Sequence, residues 1–370
     1  SCHEVPFGKK SSPRETSVLQ GAQAGQGADP GNVRGRDDPT AYRGNDRGTT
    51  RQPFGRRKTG HRRTQSRDRK GVEDGKINSK IISEIVDTIN KEHIELVFFD
   101  DSIYGNAIKI IKKCCPNVKI AAFYHDIKRY LAVEWAKQNP KSIPIQISLV
   151  TNERKTAQYA DVNIVLNERE EKLFQKYYHN LPEMLLPIIL PTPKLSNRVV
   201  SDKCNILFVG GYYYPNVNGF KWFVENVAPL IKINYEVTLV GNRMDLLKDE
   251  FSDNSNVKVL GRVEDLSLYY ENASVVVGPI FEGAGMKVKT AEALSYGKIF
   301  IGTDESLIGY KELAGELLGK SIIVCNNEEE FASAINNMDF GNGFCTENYE
   351  FFLKNYSIEA ATCKLKTLLN

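Results

Sequence analysis

The feature that most constrains this chain is a run of short apolar segments recurring from Asn205 onward, most of them with glycine at or next to their end. They are ILFVG (206–210), EVTLVG (236–241), VKVLG (257–261), SVVVGP (274–279), IFIGT (299–303) and SIIVC (321–325). Segments this short and rich in Val and Ile read as strands buried on both faces. Helices are expected between them at about 217–232, 264–272, 286–297 and 328–337. Strands that alternate with helices imply a parallel sheet covered on both sides.

A looser series of the same kind comes first. Ile81, Ile82, Ile85, Val86 and Ile89 recur at helical spacing, and Leu96–Phe99, Ile120–Tyr124, Val162–Leu166 and Leu185–Leu190 read as strands. Pro187, Pro191 and Pro193 then interrupt the chain as a linker would, because proline cannot donate to a strand ladder. The expected fold class is α/β, with two Rossmann-like domains in tandem. The expected boundaries are 76–194 and 195–343, followed by one or two helices in 344–370.

Residues 1–75 differ from all of this. They are rich in Gly, Arg, Asp, Gln, Thr and Pro and nearly lack Ile, Leu and Val, so they are expected to be disordered. Residues 1–76 hold 17 Lys/Arg against 9 Asp/Glu, leaving 32 against 37 in the remainder. The basic character therefore belongs to the leading segment, and the folded part has no charge excess that suggests DNA or RNA binding. A basic tail that contacts RNA is one reading of that segment. A solvated tail, or sequence foreign to the domain behind it, is the other.

The seven cysteines form no CxxC and no ligand-like pattern with His, which argues against zinc and for reduced thiols. No apolar run reaches the roughly 20 residues that span a bilayer, and Ser1 to Lys10 lacks a signal-peptide core. The expectation is a cytoplasmic protein, with peripheral contact at the inner face of a membrane left open.

In a doubly wound sheet, ligands bind beyond the carboxyl ends of the strands. Gly210, Gly211 and Gly241 fall at such ends and are candidates for close approach to a ligand; the bland reading is an ordinary turn glycine. The richest stretch is PIFEGAGMKVKTAEALSYGKIFIGTD (279–304). Its loop Gly283, Ala284, Gly285 leads into a helix expected to begin near Met286, and a helix start is a natural anion site. Lys287 and Lys289 lie where cations are ordinarily disfavoured, which a bound diphosphate would justify. Glu292, further along that helix, could accept hydrogen bonds from ribose hydroxyls.

In the first series His125, within AFYHD (122–126), ends a strand and is the candidate catalytic residue, able to face a donor sugar or phosphate. A structural histidine satisfied by Asp126 is the competing reading. Asp100 and Asp101 read as capping the helix that begins at Ser102. Tyr212, Tyr213 and Tyr214 either line the cleft or pack.

The pattern FVGGYYYPNVNGFKWFVENVAPLI, VTLVGN, VKVLGRVEDLSLYYENASVVVGP and GAGMKVKTAEALSYGKIFIGT resembles the family-4 (group 1) glycosyltransferases. The likeness covers about 204–325 well and 94–190 loosely. It implies the GT-B architecture, with a nucleoside-diphosphate sugar on the second domain and the acceptor mainly on the first. That acceptor could be a glycan, a lipid-linked sugar or a protein. Glu292 matches the second Glu of the family's Glu-x7-Glu motif, whereas the first would fall at Ala284 and is absent.

The stretch resembles instead a sub-group with GxGMKxK, in which Lys287 is the candidate diphosphate contact. The family's basic pair after the first strand is replaced by Gly211 and Asn218-Gly219. Arg262 and Val263 stand where relatives read the nucleobase through backbone groups. The resemblance implies sugar transfer to a hydroxyl with retention of configuration and without a metal or other cofactor. A complete first domain should open with a strand and a glycine-rich loop, which 1–75 does not contain. The expectation is thus an incomplete first domain and a chain that binds nucleotide but turns over poorly. A non-catalytic nucleotide-sugar-binding protein, an RNA-associated protein and an epimerase are the alternatives, the last disfavoured by the segment from GxGMKxK to Glu292.

Overall fold

The computed structural model describes residues 77–196, 202–341 and 343–368. The expected disorder of 1–75 and the missing opening strand lie outside those residues. Helix α1 (Ser79–Glu92) begins where the Asn78 side chain accepts from the Lys80 N–H, and ends at His93 in a left-handed conformation. Then come β1 (Leu96–Phe99), α2 (Gly105–Cys114), β2 (Lys119–Tyr124), α3 (Lys128–Gln138), α4 (Ile143–Tyr159), β3 (Val162–Val165), α5 (Glu168–Tyr178) and β4 (Met184–Leu185). The four strands are parallel in the order β1-β2-β3-β4, so each crossover adds its strand on the same side.

The second series gives β5 (Cys204–Val209), α6 (Tyr214–Trp222), β6 (Tyr235–Val240), β7 (Val257–Leu260), α7 (Ser267–Asn272), β8 (Val275–Gly278), α8 (Val288–Ser295), β9 (Ile299–Gly302), α9 (Lys311–Ala314), β10 (Ile322–Val324) and α10 (Glu328–Asn337). Its parallel order is β10-β9-β8-β5-β6-β7. The direction of winding reverses between β5 and β8, and that reversal opens a crevice at their carboxyl ends. The two final helices are α11 (Thr346–Asn355) and α12 (Ile358–Leu365).

The sequence reading and the structure differ at several ends. The strand expected over 185–190 shrinks to Met184–Leu185, because Pro187 has no N–H to continue a ladder. The helix expected at 217–232 starts earlier, at Tyr214, and beyond Trp222 loosens into a π turn and a 3₁₀ turn around Pro229. The helix expected from Met286 begins at Val288, which leaves Lys287 as its N-cap residue in extended backbone. The last helices also reach back to the first sheet. Leu190 N–H donates to Tyr356 O at 2.9 Å, and Lys119 Nζ donates to Leu368 O at 2.7 Å.

One apolar cluster holds these parts together. It joins Phe123, Ile164 and Leu166 of the first sheet to Leu207, Val276 and Phe300 of the second and to Phe352 and Tyr356 of α11 and its end. Separate clusters fill the other faces, around Ile108, Ile111 and Phe174 in the first sheet and around Phe208, Phe220 and Phe331 in the second. Burial of this kind contributes roughly 25 cal/mol per Å² of apolar surface, so the core, rather than the polar site, holds the strand ends in place.

Candidate functional site

The crevice is floored by glycine backbone. A Cβ on Gly241 would stand 1.7 Å from Gly210 O, so two strand ends press together where no side chain fits. This contact accounts for a glycine at 241 without any ligand. Gly211 is more open, the nearest atom to its imagined Cβ being Asn242 O at 3.8 Å. Asn216 fixes this turn by donating from Nδ2 to Gly211 O at 2.9 Å, and its Oδ1 accepts from Lys289 Nζ at 2.6 Å. Lys289 is buried, with its ammonium 4.6 Å from the centre of the Phe208 ring. Burial, helped by the charge of Lys287, pushes the Lys289 amine down to about 7.

Lys287 lies at the lip of the same crevice. Its Nζ donates to Ala284 O at 3.2 Å and meets Glu305 Oε1 at 2.7 Å, in the loop after β9. Burial lowers its pKa, and Glu305 works against that shift. Gly283 and Gly285 both have positive φ, which lets the loop fold over the ammonium. Met286 is buried, and its side chain lies against Gly309.

Arg169 joins this cluster from the first sheet. It is the second residue of α5, whose start is capped by Asn167. Its Nη1 donates to Glu305 Oε2 at 3.0 Å and Oε1 at 3.2 Å, and its Nη2 donates to Gly285 O at 3.1 Å. Neither Arg169 nor Glu305 was among the residues that the sequence patterns singled out. Their separation of 136 positions leaves no local pattern to find.

His125 closes the cleft from the end of β2, and a Cβ on Gly285 would stand 2.9 Å from its carbonyl oxygen. Its Nε2 pairs with Asp100 Oδ1 at 3.0 Å, not with Asp126. Asp126 instead pairs with Lys128 at 2.9 Å. Neighbouring side chains on extended backbone point to opposite sides, so the residue next to His125 is poorly placed to reach it. The hydrogen bond to Asp100, with burial opposing it, raises the His125 pKa. The capping role expected for Asp100 and Asp101 is not seen, since Asp101 makes no side-chain cap bond at Ser102.

The turn after His125 is held by buried carboxylates. Glu153 accepts from the N–H groups of Lys128 and Arg129 at 2.7 and 3.0 Å and from Ser102 Oγ at 3.0 Å. Glu170 accepts from Ile127 N–H at 3.2 Å. These bonds satisfy the first donors of α3, which would otherwise be orphaned in a dry setting.

Of the remaining candidates, Glu292 lies further along α8 and the others at the edge of the crevice. Glu292 accepts from Tyr270 OH at 2.8 Å, and burial raises its pKa against that bond. Arg262 is exposed and Val263 half-buried in the loop after β7. Tyr212, Tyr213 and Tyr214 are all exposed beside the crevice rather than packed in the core. Among the described residues, no group of three or more His, Cys, Asp or Glu is disposed to hold a metal ion.

Comparison with known proteins fits this geometry. Residues 203–338 match the family model described as glycosyl transferases group 1. A curated Klebsiella pneumoniae protein, described as an uncharacterized 44.6 kDa protein in the cps region, is 29% identical over 146 residues. That match takes in 36% of this chain and 37% of the relative, so the chain spans little more than a third of that protein's length. Among solved structures, HepE of Anabaena in complex with UDP has a TM-score of 0.60 at 13% identity, covering 78% of this chain and 82% of that one. A glycosyltransferase from Rickettsia africae gives 0.59 at 14% identity, covering 79% and 83%. The pneumococcal O-GlcNAc transferase GtfA, in complex with UDP and GlcNAc, gives 0.53 at 14%, covering 77% and 59%. Residues 203–338 thus resemble the group 1 glycosyltransferases, and the chain shares the two-domain GT-B fold of these solved structures.

Proposed function

We propose that this chain binds a nucleoside-diphosphate sugar in the β5/β8 crevice and transfers the sugar to an acceptor hydroxyl with retention of configuration. The observation that carries this reading is Lys287, a half-buried ammonium at the start of α8 beneath the Gly283–Gly285 loop. A cation and free helix N–H groups together stabilise a departing diphosphate, the charge that develops as the glycosidic bond to the donor breaks. Glu292, deeper along α8, would take the ribose hydroxyls, and the backbone at Arg262 and Val263 the base. His125 would meet the transferring sugar or a phosphate from the opposite wall. The cationic duty falls to side chains and helix, so the reading assigns no step to a metal. The family-4 placement belongs to this proposal as well, through the GxGMKxK stretch.

A UDP-linked sugar is the first donor to try, since HepE of Anabaena was solved with UDP-glucose and GtfA with UDP and GlcNAc. Nucleotide binding and turnover are separate expectations. Among the described residues the first sheet winds one way only, and β1 is followed by Asp100 and Asp101 rather than a glycine-rich loop toward the donor. Binding with weak turnover is therefore the proposed behaviour.

Peripheral membrane contact has a candidate surface. Helices α3 and α4 expose Val133, Ile143 and Ile147 around a groove of about 570 Å³, with Lys137 on its wall and Lys141 nearby in the chain. Apolar and basic groups together suit an anionic lipid surface. No helix among the described residues is long and apolar enough to cross a membrane.

The test is calorimetric titration with UDP and GDP, then with the matching sugar donors. Glu292→Ala is expected to weaken nucleoside-diphosphate binding by at least about tenfold, the loss of a hydrogen bond to a charged group. An unchanged affinity would remove Glu292 from the site.

A further inference from the structure

The donor crevice already contains an anion of its own. Glu305 places one carboxylate between two cations that come from different sheets, Lys287 at 2.7 Å and Arg169 at 3.0 and 3.2 Å. Gly283 covers this pair so closely that a Cβ there would stand 3.2 Å from Lys287 Nζ and 3.8 Å from Glu305 Oε1. Arg169 is only partly satisfied by these contacts. Its Nη2 reaches Gly285 O at 3.1 Å and Glu170 Oε1 at 3.4 Å, while its Nε is buried with no partner. Asn167 Nδ2, at the cap of the same helix, is also buried and unpaired. A carboxylate has two oxygens to offer, whereas a diphosphate has more, in a geometry that a guanidinium fork fits well.

Resting on the donor reading above, we propose that Glu305 is a resident counter-ion that the donor's diphosphate displaces, and that Arg169 then passes from Glu305 to the phosphate. Arg169 is on this account a donor-binding residue supplied by the first sheet, and nucleotide binding ties the two sheets together through it. Glu305 neutralises the two half-buried cations while the crevice is empty and competes with the diphosphate for them.

The two roles open to Glu305 predict opposite signs. The experiment titrates the full chain and its E305Q, R169A and R169K variants with UDP, GDP and UMP, with thermal melts to show that each variant is folded. Removing a competing charge with E305Q is expected to tighten diphosphate binding by about tenfold, with UMP moved much less. R169A is expected to weaken it by about tenfold, and R169K, which keeps the charge and loses the fork, by less. Weaker UDP or GDP binding in E305Q would overturn the proposal, because a carboxylate that merely positions Lys287 and Arg169 gives that result. An unchanged affinity in a folded R169A, with R169K also unchanged, would overturn it equally. Failure of the wild type and of E305Q to bind either nucleoside diphosphate would overturn the donor reading itself, and this inference with it.

Discussion

The two parallel sheets differ in winding, and the difference decides where a ligand can enter. The first adds strands in one direction and, among the described residues, has no reversal. The second reverses between β5 and β8, and its glycine turns, Lys287 and Lys289 gather at that point. The first sheet places its polar groups differently, burying Glu153 and Glu170 to hold the turn after His125. One sheet supplies the cavity, while the other supplies rigidly held side chains that reach over it.

The largest expected effect breaks the second sheet's crevice. Gly241→Ala would drive a methyl group into Gly210 O and is expected to cost about 3 kcal/mol of stability, read by denaturant unfolding. A variant as stable as the wild type would show that these turns are looser than the structure places them. Next, His125→Ala is expected to lower whatever sugar transfer the chain supports by about a hundredfold while leaving UDP affinity unchanged. Loss of nucleotide affinity instead would move His125 from chemistry to binding.

A further effect sets the two regions against each other in pH. Burial pushes Glu153 up to about 7 from 4.5, with its hydrogen-bond donors opposing the shift. Its contribution to stability is therefore full below pH 4.5 and lost as pH rises through 7. Lys289, pushed down to about 7 from 10.5, contributes above pH 10.5 and loses that contribution as pH falls through 7. Glu153→Gln is expected to remove a decline in stability between pH 4.5 and 7, and Lys289→Met a rise between 7 and 10.5. Each difference is expected to be about 3 kcal/mol or more in unfolding experiments across pH. Parallel curves for variant and wild type would mean that the group titrates normally.

The strands were legible because buried β-branched runs such as VKVLG and SVVVGP leave few alternatives, and Lys287 because a cation at a helix start calls for an explanation. The helix edges were less so. Val288 rather than Met286 opens α8, since the Gly283–Gly285 loop holds Lys287 in extended backbone. The competing reading, in which Asp126 satisfies His125, fails because adjacency in sequence is not adjacency in space, and Asp100 lies at the neighbouring strand's end. Arg169 and Glu305 were invisible for the same reason at longer range. Each is an ordinary charged residue until the fold brings 169 and 305 to one lip of the crevice.

The central claim is that the β5/β8 crevice holds a nucleoside diphosphate against Lys287. Its most direct test is titration of the full chain and of Lys287→Ala with UDP and GDP, alongside thermal melts of both proteins. The account predicts that one of the two nucleotides binds the wild type and that the variant, still folded, binds it about thirtyfold more weakly, as loss of a charge-assisted contact to phosphate requires. A folded variant that binds as tightly as the wild type would contradict it.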